Sequence, residues 1–234
     1  MRTSTIVVLA AGAAVTFATP SVSAAQVCMG QPTRVAAISL GFEGTDGATG
    51  GAASLAVRAG RLNVGVSRSS LDMFAQKENM RTTDLRVGWE LTDGPVQVCG
   101  LAGEARTSYE SSLSSRTGPD ANGVVGTTYD VDGDFDRVRR RVGLSLGHEF
   151  RSTHTLGLNP FVTLAVVQDH ERMRWLDGDL TTRTRTGPGT SFGLAARIGS
   201  TLIRSELAKT WTAERALSQH TNWWHVGLQV GWAF

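Results

Sequence analysis

The sequence lacks any long hydrophobic run beyond its N-terminus, and this absence excludes helical membrane spans from the rest of the chain. A helix needs about 20 consecutive apolar residues to cross a bilayer, and no such stretch follows residue 24. A strong charge of one sign is also absent. The 23 basic and 21 acidic residues leave a net charge of +2, so we expect no nucleic acid partner. No motif in the sequence calls for a cofactor, and we expect none.

The N-terminus has the pattern of a secretory signal peptide. A basic residue at position 2 precedes an apolar segment over residues 6–18, and Val22-Ser23-Ala24 matches a small-residue cleavage site. We expect cleavage after Ala24, which leaves a short periplasmic segment over residues 25–33 and one domain over residues 34–234. The mature chain is therefore expected to be exported.

Cysteine is scarce, with Cys28 and Cys99 as the only two. No histidine or further cysteine lies at ligand spacing around either residue, which argues against a zinc site. An exported chain folds in an oxidising compartment, where two cysteines are expected to form a disulfide. The sequence therefore predicts a structural bond between Cys28 and Cys99.

The last ten residues show strict period-two alternation. Small or polar residues such as Gly227 and Gln229 alternate with large apolar ones, which predicts a β-strand with one apolar face. The strand is long enough to cross a bilayer, and it ends on an aromatic residue. In both respects it resembles the C-terminal signal that the barrel assembly machinery reads in bacterial outer-membrane proteins. The apolar positions of this predicted signal are Val226, Leu228, Val230, Trp232 and Phe234.

Nine further segments alternate in the same way, which predicts about ten strands. Short turns and long polar loops separate them in turn, a rhythm typical of outer-membrane barrels with short periplasmic turns and longer external loops. We predict an all-β fold, an antiparallel up-and-down transmembrane β-barrel with both termini periplasmic. Eight strands are the alternative, if the segments near 96–107 or 202–211 form none. The long loops are expected at residues 44–51, 70–80, 108–136, 168–188 and 212–221.

This pattern of strands, loops and C-terminal signal resembles the small bacterial outer-membrane β-barrel proteins. That superfamily includes the transmembrane domain of outer-membrane protein A, the omptin proteases and small porin-like proteins. The resemblance implies an integral outer-membrane protein, expected to be a monomer, that contacts membrane lipid and lipopolysaccharide and is inserted by the assembly machinery. We expect a structural role or passive diffusion of small solutes. The alternatives are a surface enzyme, either omptin-like or lipid A-modifying, and a barrel that binds ligands or adheres through its external loops.

Charged residues occupy the face of the predicted strands that would line the lumen. Unpaired charge in a narrow barrel is costly, so these groups must pair or be hydrated. Two interpretations stay open: a salt-bridge network that rigidifies a closed barrel, and a water-filled pore lined by both signs. The alternation slips near Cys99-Gly100, which suggests a β-bulge. The predicted lumen charges are Arg58, Asp84, Arg86, Glu90, Glu104, Arg106, Arg141, Glu149, Arg197, Arg204 and Glu206.

Alternate aspartates, Asp130, Asp132 and Asp134, resemble the start of a calcium-binding loop. The match ends at Phe135, where such a loop needs glycine, and at Arg141, where it needs glutamate. Arginines follow directly, so a solvated rim that pairs with itself is the favoured interpretation. These arginines could also contact lipopolysaccharide phosphates.

Asp169 and His170 are the weak catalytic candidates, because His170 is the one loop histidine flanked by acidic residues. Omptin proteases use aspartate and histidine at the external mouth of the barrel. No matching second aspartate pair accompanies these residues, and a general base needs a positioned partner. We therefore expect a protein without enzymatic activity.

Overall fold

The described part of the chain is almost entirely β-strand. The computed structural model describes Cys28 and residues 36–45, 48–73, 79–92, 96–111, 116–119, 125–128, 133–151, 156–175, 180–211 and 222–234. The predicted signal peptide and the loop expected at 212–221 lie outside these residues. Within them, no helix has the length and apolar character needed to cross a membrane.

The described segments contain thirteen strands. In chain order they are β1 (Ala36–Thr45), β2 (Ala48–Ala59), β3 (Leu62–Met73), β4 (Asn79–Glu90), β5 (Val96–Ser111), β6 (Arg116–Pro119), β7 (Val125–Thr128), β8 (Gly133–His148), β9 (Phe150–Arg151), β10 (Leu156–Trp175), β11 (Leu180–Ile198), β12 (Thr201–Trp211) and β13 (Asn222–Ala233). Strands β6 and β7 form a separate hairpin, and β9 is a short extension of the wall beside β10.

The other ten strands close into one antiparallel barrel, which confirms the predicted fold and strand count. Consecutive barrel strands pair, and β13 pairs with β1 from Ala233 opposite Ala37 to His225 opposite Thr45. Following the registers once round the barrel returns to β1 about twelve residues further along, the kind of stagger that a closed, tilted sheet requires. Both ends of the described wall, Ala36 and Phe234, meet at one end of the barrel. We call this the terminal end and the opposite one the loop end.

Several predicted loops are wrong, because the strands run further toward the loop end. The loop expected at 44–51 is a tight connection, since β1 and β2 stay paired up to Thr45 opposite Ala48. Residues 168–188 are mostly strand, with β10 and β11 paired up to Arg174 opposite Leu180. The expected loops at 70–80 and 108–136 are shortened by strand ends, and the second contains the β6–β7 hairpin.

A proline explains the break between β8 and β9. The two strands share one register against β10. Phe161 is opposite Gly147 on β8, and Gly157, four residues earlier, is opposite Arg151 on β9, four residues later. The interruption at Glu149 lies beside Pro160, which has no N–H to donate to a neighbouring strand.

The outer wall has an apolar belt. Large apolar side chains alternate along the barrel strands and stay exposed; Val142 and Phe42, for example, are 66% and 74% exposed. Exposure on this scale around a closed barrel marks a surface that faces lipid. Tryptophans flank the belt, Trp89 and Trp232 toward the terminal end and Trp211 and Trp224 toward the loop end, as in interfacial girdles. The outward positions predicted for the last strand, Val226, Leu228, Val230, Trp232 and Phe234, are all exposed on this face.

Candidate functional site

The lumen holds most of the charges that the sequence assigned to it. Inward positions alternate with the apolar belt, and the charged side chains among them form three groups at different heights. The predicted residues that face inward are Arg58, Asp84, Arg86, Glu90, Arg141, Glu149, Arg197, Arg204 and Glu206.

Glu104 and Arg106 are corrections, because they lie outside the barrel. Glu104 is directly opposite Leu85, the last apolar outward residue of β4 toward the loop end, and Arg106 is 75% exposed. The Glu104 carboxylate accepts hydrogen bonds from Arg106 Nε at 2.8 Å and from Arg140 Nε at 3.0 Å. These three residues, the outer-face cluster, sit just beyond the apolar belt toward the loop end. The predicted bulge at Cys99-Gly100 is also wrong, since β5 keeps an unbroken register with both neighbours.

Five residues form a central network inside the barrel: Asp84, Arg86, Arg141, Arg204 and Glu206. Arg86 Nε donates to Asp84 Oδ2 at 2.6 Å, and Arg141 donates to both oxygens of the same carboxylate. Arg204 donates to Glu206 Oε2 at 2.5 Å, and Arg86 Nη1 lies 3.7 Å from the same oxygen. The network therefore joins β4, β8 and β12 across the lumen, and every member has a partner of opposite charge.

Gly103 lets Arg141 reach across a strand. Arg141 is on β8 and Asp84 is on β4, with β5 between them. A Cβ atom at Gly103 would lie 2.9 Å from the Leu85 carbonyl oxygen and 3.0 Å from Arg141 Nε. A larger residue would obstruct the guanidinium, so the glycine is part of the site.

A second group, the upper cluster, lies nearer the loop end and consists of Arg137, Arg139, Asp169 and Glu171. Arg139 donates to the two oxygens of Asp169 at 2.8 and 3.1 Å, and Arg137 donates to the same carboxylate. Arg137 Nε is 3.7 Å from Glu171 Oε1. Asp169 lies beyond the part of β10 that crosses the membrane, since the outward residues around it are polar. Burial raises the pKa of Asp169, but the hydrogen bonds and charges of Arg139 and Arg137 outweigh this and hold the pKa below its ordinary value.

The sequence did not single out this upper cluster as a lumen group. Arg137 and Arg139 continue the inward positions of β8 beyond Arg141, and Asp169 is directly opposite Arg139 on β10. The period-two spacing of Arg137, Arg139 and Arg141 is the sequence feature that could place all three on the inward face of β8.

The terminal half of the lumen is filled. Leu101, Phe161 and Arg204 form its floor, with the Arg204 guanidinium 5.4 Å from the centre of the Phe161 ring. Cys28 packs against Cys99 and Leu101, and the predicted disulfide is confirmed, with Cα atoms 5.6 Å apart. The bond therefore holds Cys28 against β5 at the terminal end of the lumen.

A third group of polar side chains lies beside this floor. Arg58 Nη2 donates to Glu90 Oε2 at 2.8 Å, and Asn63 Nδ2 donates to Glu90 Oε1 at 3.2 Å. Glu90 is buried with both oxygens hydrogen-bonded. At the same end, Glu149 and Arg197 both approach Gly157.

The loop half of the lumen contains a cavity of about 170 Å³, the vestibule. Its wall includes Arg86, Arg139, Arg141, Glu206 and His225. His225 Nε2 lies 3.6 Å from Glu43 Oε2 on the neighbouring strand. Pockets for drug-sized ligands are roughly 300–1,000 Å³, so this space suits a few waters or one small solute.

The weak catalytic candidates do not come together. Asp169 points into the lumen, where the arginines hold it, whereas His170 is exposed on the outer face and its Nδ1 lies 2.9 Å from Thr184 Oγ1. Of the calcium candidates, Asp130 and Asp132 lie outside the described residues. Asp134 is exposed on β8, opposite Arg174. Among the residues that the structure describes, no three metal-ligating side chains are grouped.

Neither a protein-family model nor a curated protein sequence matches the chain. Its fold is similar to those of solved structures that include the following three. The attachment invasion locus protein Ail of Yersinia pestis, in complex with the heparin analogue sucrose octasulfate, is 15% identical with a TM-score of 0.41, over 85% of this chain and 97% of Ail. The outer membrane protease OmpT of Escherichia coli is 10% identical with a TM-score of 0.48, over 85% and 96%. The toluene transporter TbuX of Ralstonia pickettii is 13% identical with a TM-score of 0.27, over 86% and 90%.

The closed topology and the apolar belt establish the class of protein. In a bilayer every backbone amide must be satisfied internally, and a β-sheet achieves this only by closing on itself. Ten closed strands with an apolar outer face and a polar lumen meet this requirement. The chain is an integral outer-membrane β-barrel protein.

Proposed function

We propose that the protein is a closed, structural barrel that does not conduct solutes across the membrane. The observation that carries this proposal is the central network, which crosses the lumen from β4 and β8 to β12 with every charge paired. An ion passing through would have to separate these pairs, and each uncompensated charge in a narrow lumen is costly.

The floor supports the same function. Phe161 and Arg204 are both buried, and the cavity that Phe161 lines measures about 80 Å³, against about 170 Å³ for the vestibule. The disulfide adds a covalent tie beneath this constriction. The barrel thus combines a water-accessible loop half with a packed terminal half. No catalytic role is part of this proposal, since Asp169 is engaged by arginines and His170 is on the other face.

The orientation that fits this function places both termini in the periplasm. The two ends of the described wall, Ala36 and Phe234, lie at one end of the barrel, and the longest strand extensions, on β10 and β11, are at the other. The outward apolar face of β13 fits the predicted recognition by the assembly machinery. Because the belt is present all round the barrel, we include a monomeric state in the proposal.

The outer-face cluster gives the proposed contact with lipopolysaccharide. Arg106 and Arg140 are exposed just beyond the belt, and their shared carboxylate Glu104 holds them side by side. Two guanidinium groups at the external boundary suit a lipid phosphate, which arginine binds with paired hydrogen bonds. Such contacts would anchor the barrel in the outer leaflet.

The test is single-channel conductance of the refolded mature chain in planar bilayers. Folding is first confirmed by the heat-dependent gel shift of β-barrels. We expect no steady channel from the wild-type protein, because the floor blocks the lumen. Reproducible open channels from the folded wild type would overturn the proposal and favour passive diffusion.

A variant with an opened floor is the positive control for the absence of conductance in the wild type. Combining Phe161→Ala with Arg204→Ser removes the two largest floor groups and should produce measurable conductance. The matched variant Arg106→Ser changes an arginine outside the lumen and should stay silent. A folded floor variant that also shows no conductance would show that Phe161 and Arg204 do not block the lumen.

A further inference from the structure

Three arginines form a ladder on one wall of the vestibule. Arg137, Arg139 and Arg141 occupy successive inward positions of β8, and all three line the cavity. Arg86 from β4 lines the same cavity and shares Asp84 with Arg141. Guanidinium groups therefore converge on the vestibule from two strands separated by β5.

The carboxylates that hold these arginines are buried and already hydrogen-bonded, although Asp84 is part of the cavity wall. The side chains of Asp84 and Asp169 are 8% and 1% exposed, and each accepts hydrogen bonds from two arginines. The side chains of Arg139 and Arg141 are both 23% exposed, and that of Arg86 is 25% exposed. Each guanidinium carries five N–H donors, and an aspartate cannot accept that many from two of them. The surface that meets the cavity is thus rich in donors, although the total charge of the wall is close to balanced.

Hydroxyl groups extend this donor surface. Thr82 on β4 and Thr107 on β5 line the vestibule beside the arginines, and their Oγ1 atoms lie 2.9 Å apart. Of the described acidic groups that line the cavity, Asp84 is on β4 beside Arg86, whereas Glu43 and Glu206 are on β1 and β12. Glu206 is engaged by Arg204, and Glu43 lies beside His225. On the donor-rich side, the Asp84 carboxylate is therefore already occupied by Arg86 and Arg141.

We propose that the vestibule is a binding site for a small oxyanion, of the phosphate or carboxylate class, held by Arg86, Arg139 and Arg141. Charge-assisted hydrogen bonds from arginine to such oxygens are among the strongest in proteins. The anchoring carboxylates preorganise the guanidinium groups, so little conformational entropy is lost on binding. The cavity volume of about 170 Å³ fits an anion of a few heavy atoms. This site needs no conducting pore, because the vestibule lies in the loop half of the lumen and Phe161 lines a separate cavity.

Isothermal titration calorimetry of the refolded full mature chain in zwitterionic detergent tests the site. Inorganic phosphate is the first probe and acetate the second, with ionic strength held constant by chloride. We expect saturable 1:1 binding of at least one of them, and the stronger probe identifies the class. Arg139→Gln should weaken that binding by about tenfold or more, since it removes a charged donor.

Two further variants complete the test. Arg81→Gln is the matched control, because Arg81 is exposed on the outer face of β4 and lies outside both the vestibule and the outer-face cluster, and it should bind as the wild type does. Glu43→Gln removes a negative charge from the cavity wall and should strengthen binding a few-fold, an effect that a purely structural role would not produce. If Arg139→Gln does not fold, Glu43→Gln decides, and an unchanged affinity there would overturn the site. No saturable binding to the folded wild type, or loss of binding in Arg81→Gln with retention in Arg139→Gln, would also overturn it.

Discussion

Replacing Asp84 by asparagine should be the most damaging single change in the lumen. Asp84 accepts hydrogen bonds from Arg86 and Arg141, and its side chain is only 8% exposed. Asparagine keeps the shape but leaves two guanidinium groups facing each other without their shared negative charge. Removing one partner of a buried ion pair costs roughly 3–5 kcal/mol. Because the vestibule is accessible to water, we expect the lower end, about 3 kcal/mol of unfolding free energy.

Equilibrium unfolding by urea of the barrel folded in lipid vesicles, followed by tryptophan fluorescence, measures this loss. Asp134→Asn is the matched control, since Asp134 is exposed on the outer face of β8, and its cost should stay within about 0.5 kcal/mol. The double variant Asp84→Asn with Arg141→Gln should lose less unfolding free energy than the two single variants together. The reason is that one of the two guanidinium groups that asparagine leaves unpaired is then absent. A loss below about 1 kcal/mol for Asp84→Asn would refute the argument that the network depends on this carboxylate.

Three other perturbations use the same unfolding assay. Replacing Cys28 and Cys99 by serine should cost about 4 kcal/mol in the chain-entropy model, since the bond joins residues 71 apart; equal urea midpoints with and without reductant would contradict this. Leu144→Arg should cost roughly 2–4 kcal/mol because Leu144 faces lipid, and an unchanged midpoint would place this face outside the bilayer. Gly103→Ala should cost about 1–3 kcal/mol by crowding Arg141, and full additivity with Arg141→Gln would show that the crowding is elsewhere.

The sequence predicts the barrel well wherever the wall touches lipid. There the outward residues must be apolar and the inward ones small or polar, as at Leu144 and Ser145, so the alternation is visible. Beyond the belt, both faces of a strand are polar. Gln168 and His170 face outward, and Asp169 and Glu171 face inward, so no period-two signal remains and the segment resembles a loop.

Glu104 and Arg106 were misplaced for the same physical reason. A charged residue on a predicted strand was assigned to the lumen because lipid would reject it. That argument fails above the bilayer, where the outer face meets headgroups and water. Height along the barrel follows from the register of all neighbouring strands, which the sequence alone does not contain.

The composition of the lumen could be predicted, but its pairing could not. Alternation placed Asp84, Arg86 and Arg141 on inward faces, which the structure confirms. That Arg141 crosses β5 to reach Asp84 depends on the strand registers and on the missing side chain of Gly103. The disulfide could be predicted, because two cysteines allow only one intramolecular pairing.

The pairing of β1 with β13 means that the barrel can close only when the whole wall has been synthesised. Ala37 pairs with Ala233, so one edge of the first strand has no hydrogen-bonding partner until the last strand has been synthesised. Contacts this distant in sequence make folding slow. Until they form, β1 and β12 both present unpaired amides, which lipid does not tolerate. A chain that lacks β13 therefore has no stable halfway state in the bilayer, and insertion must begin with the chain complete.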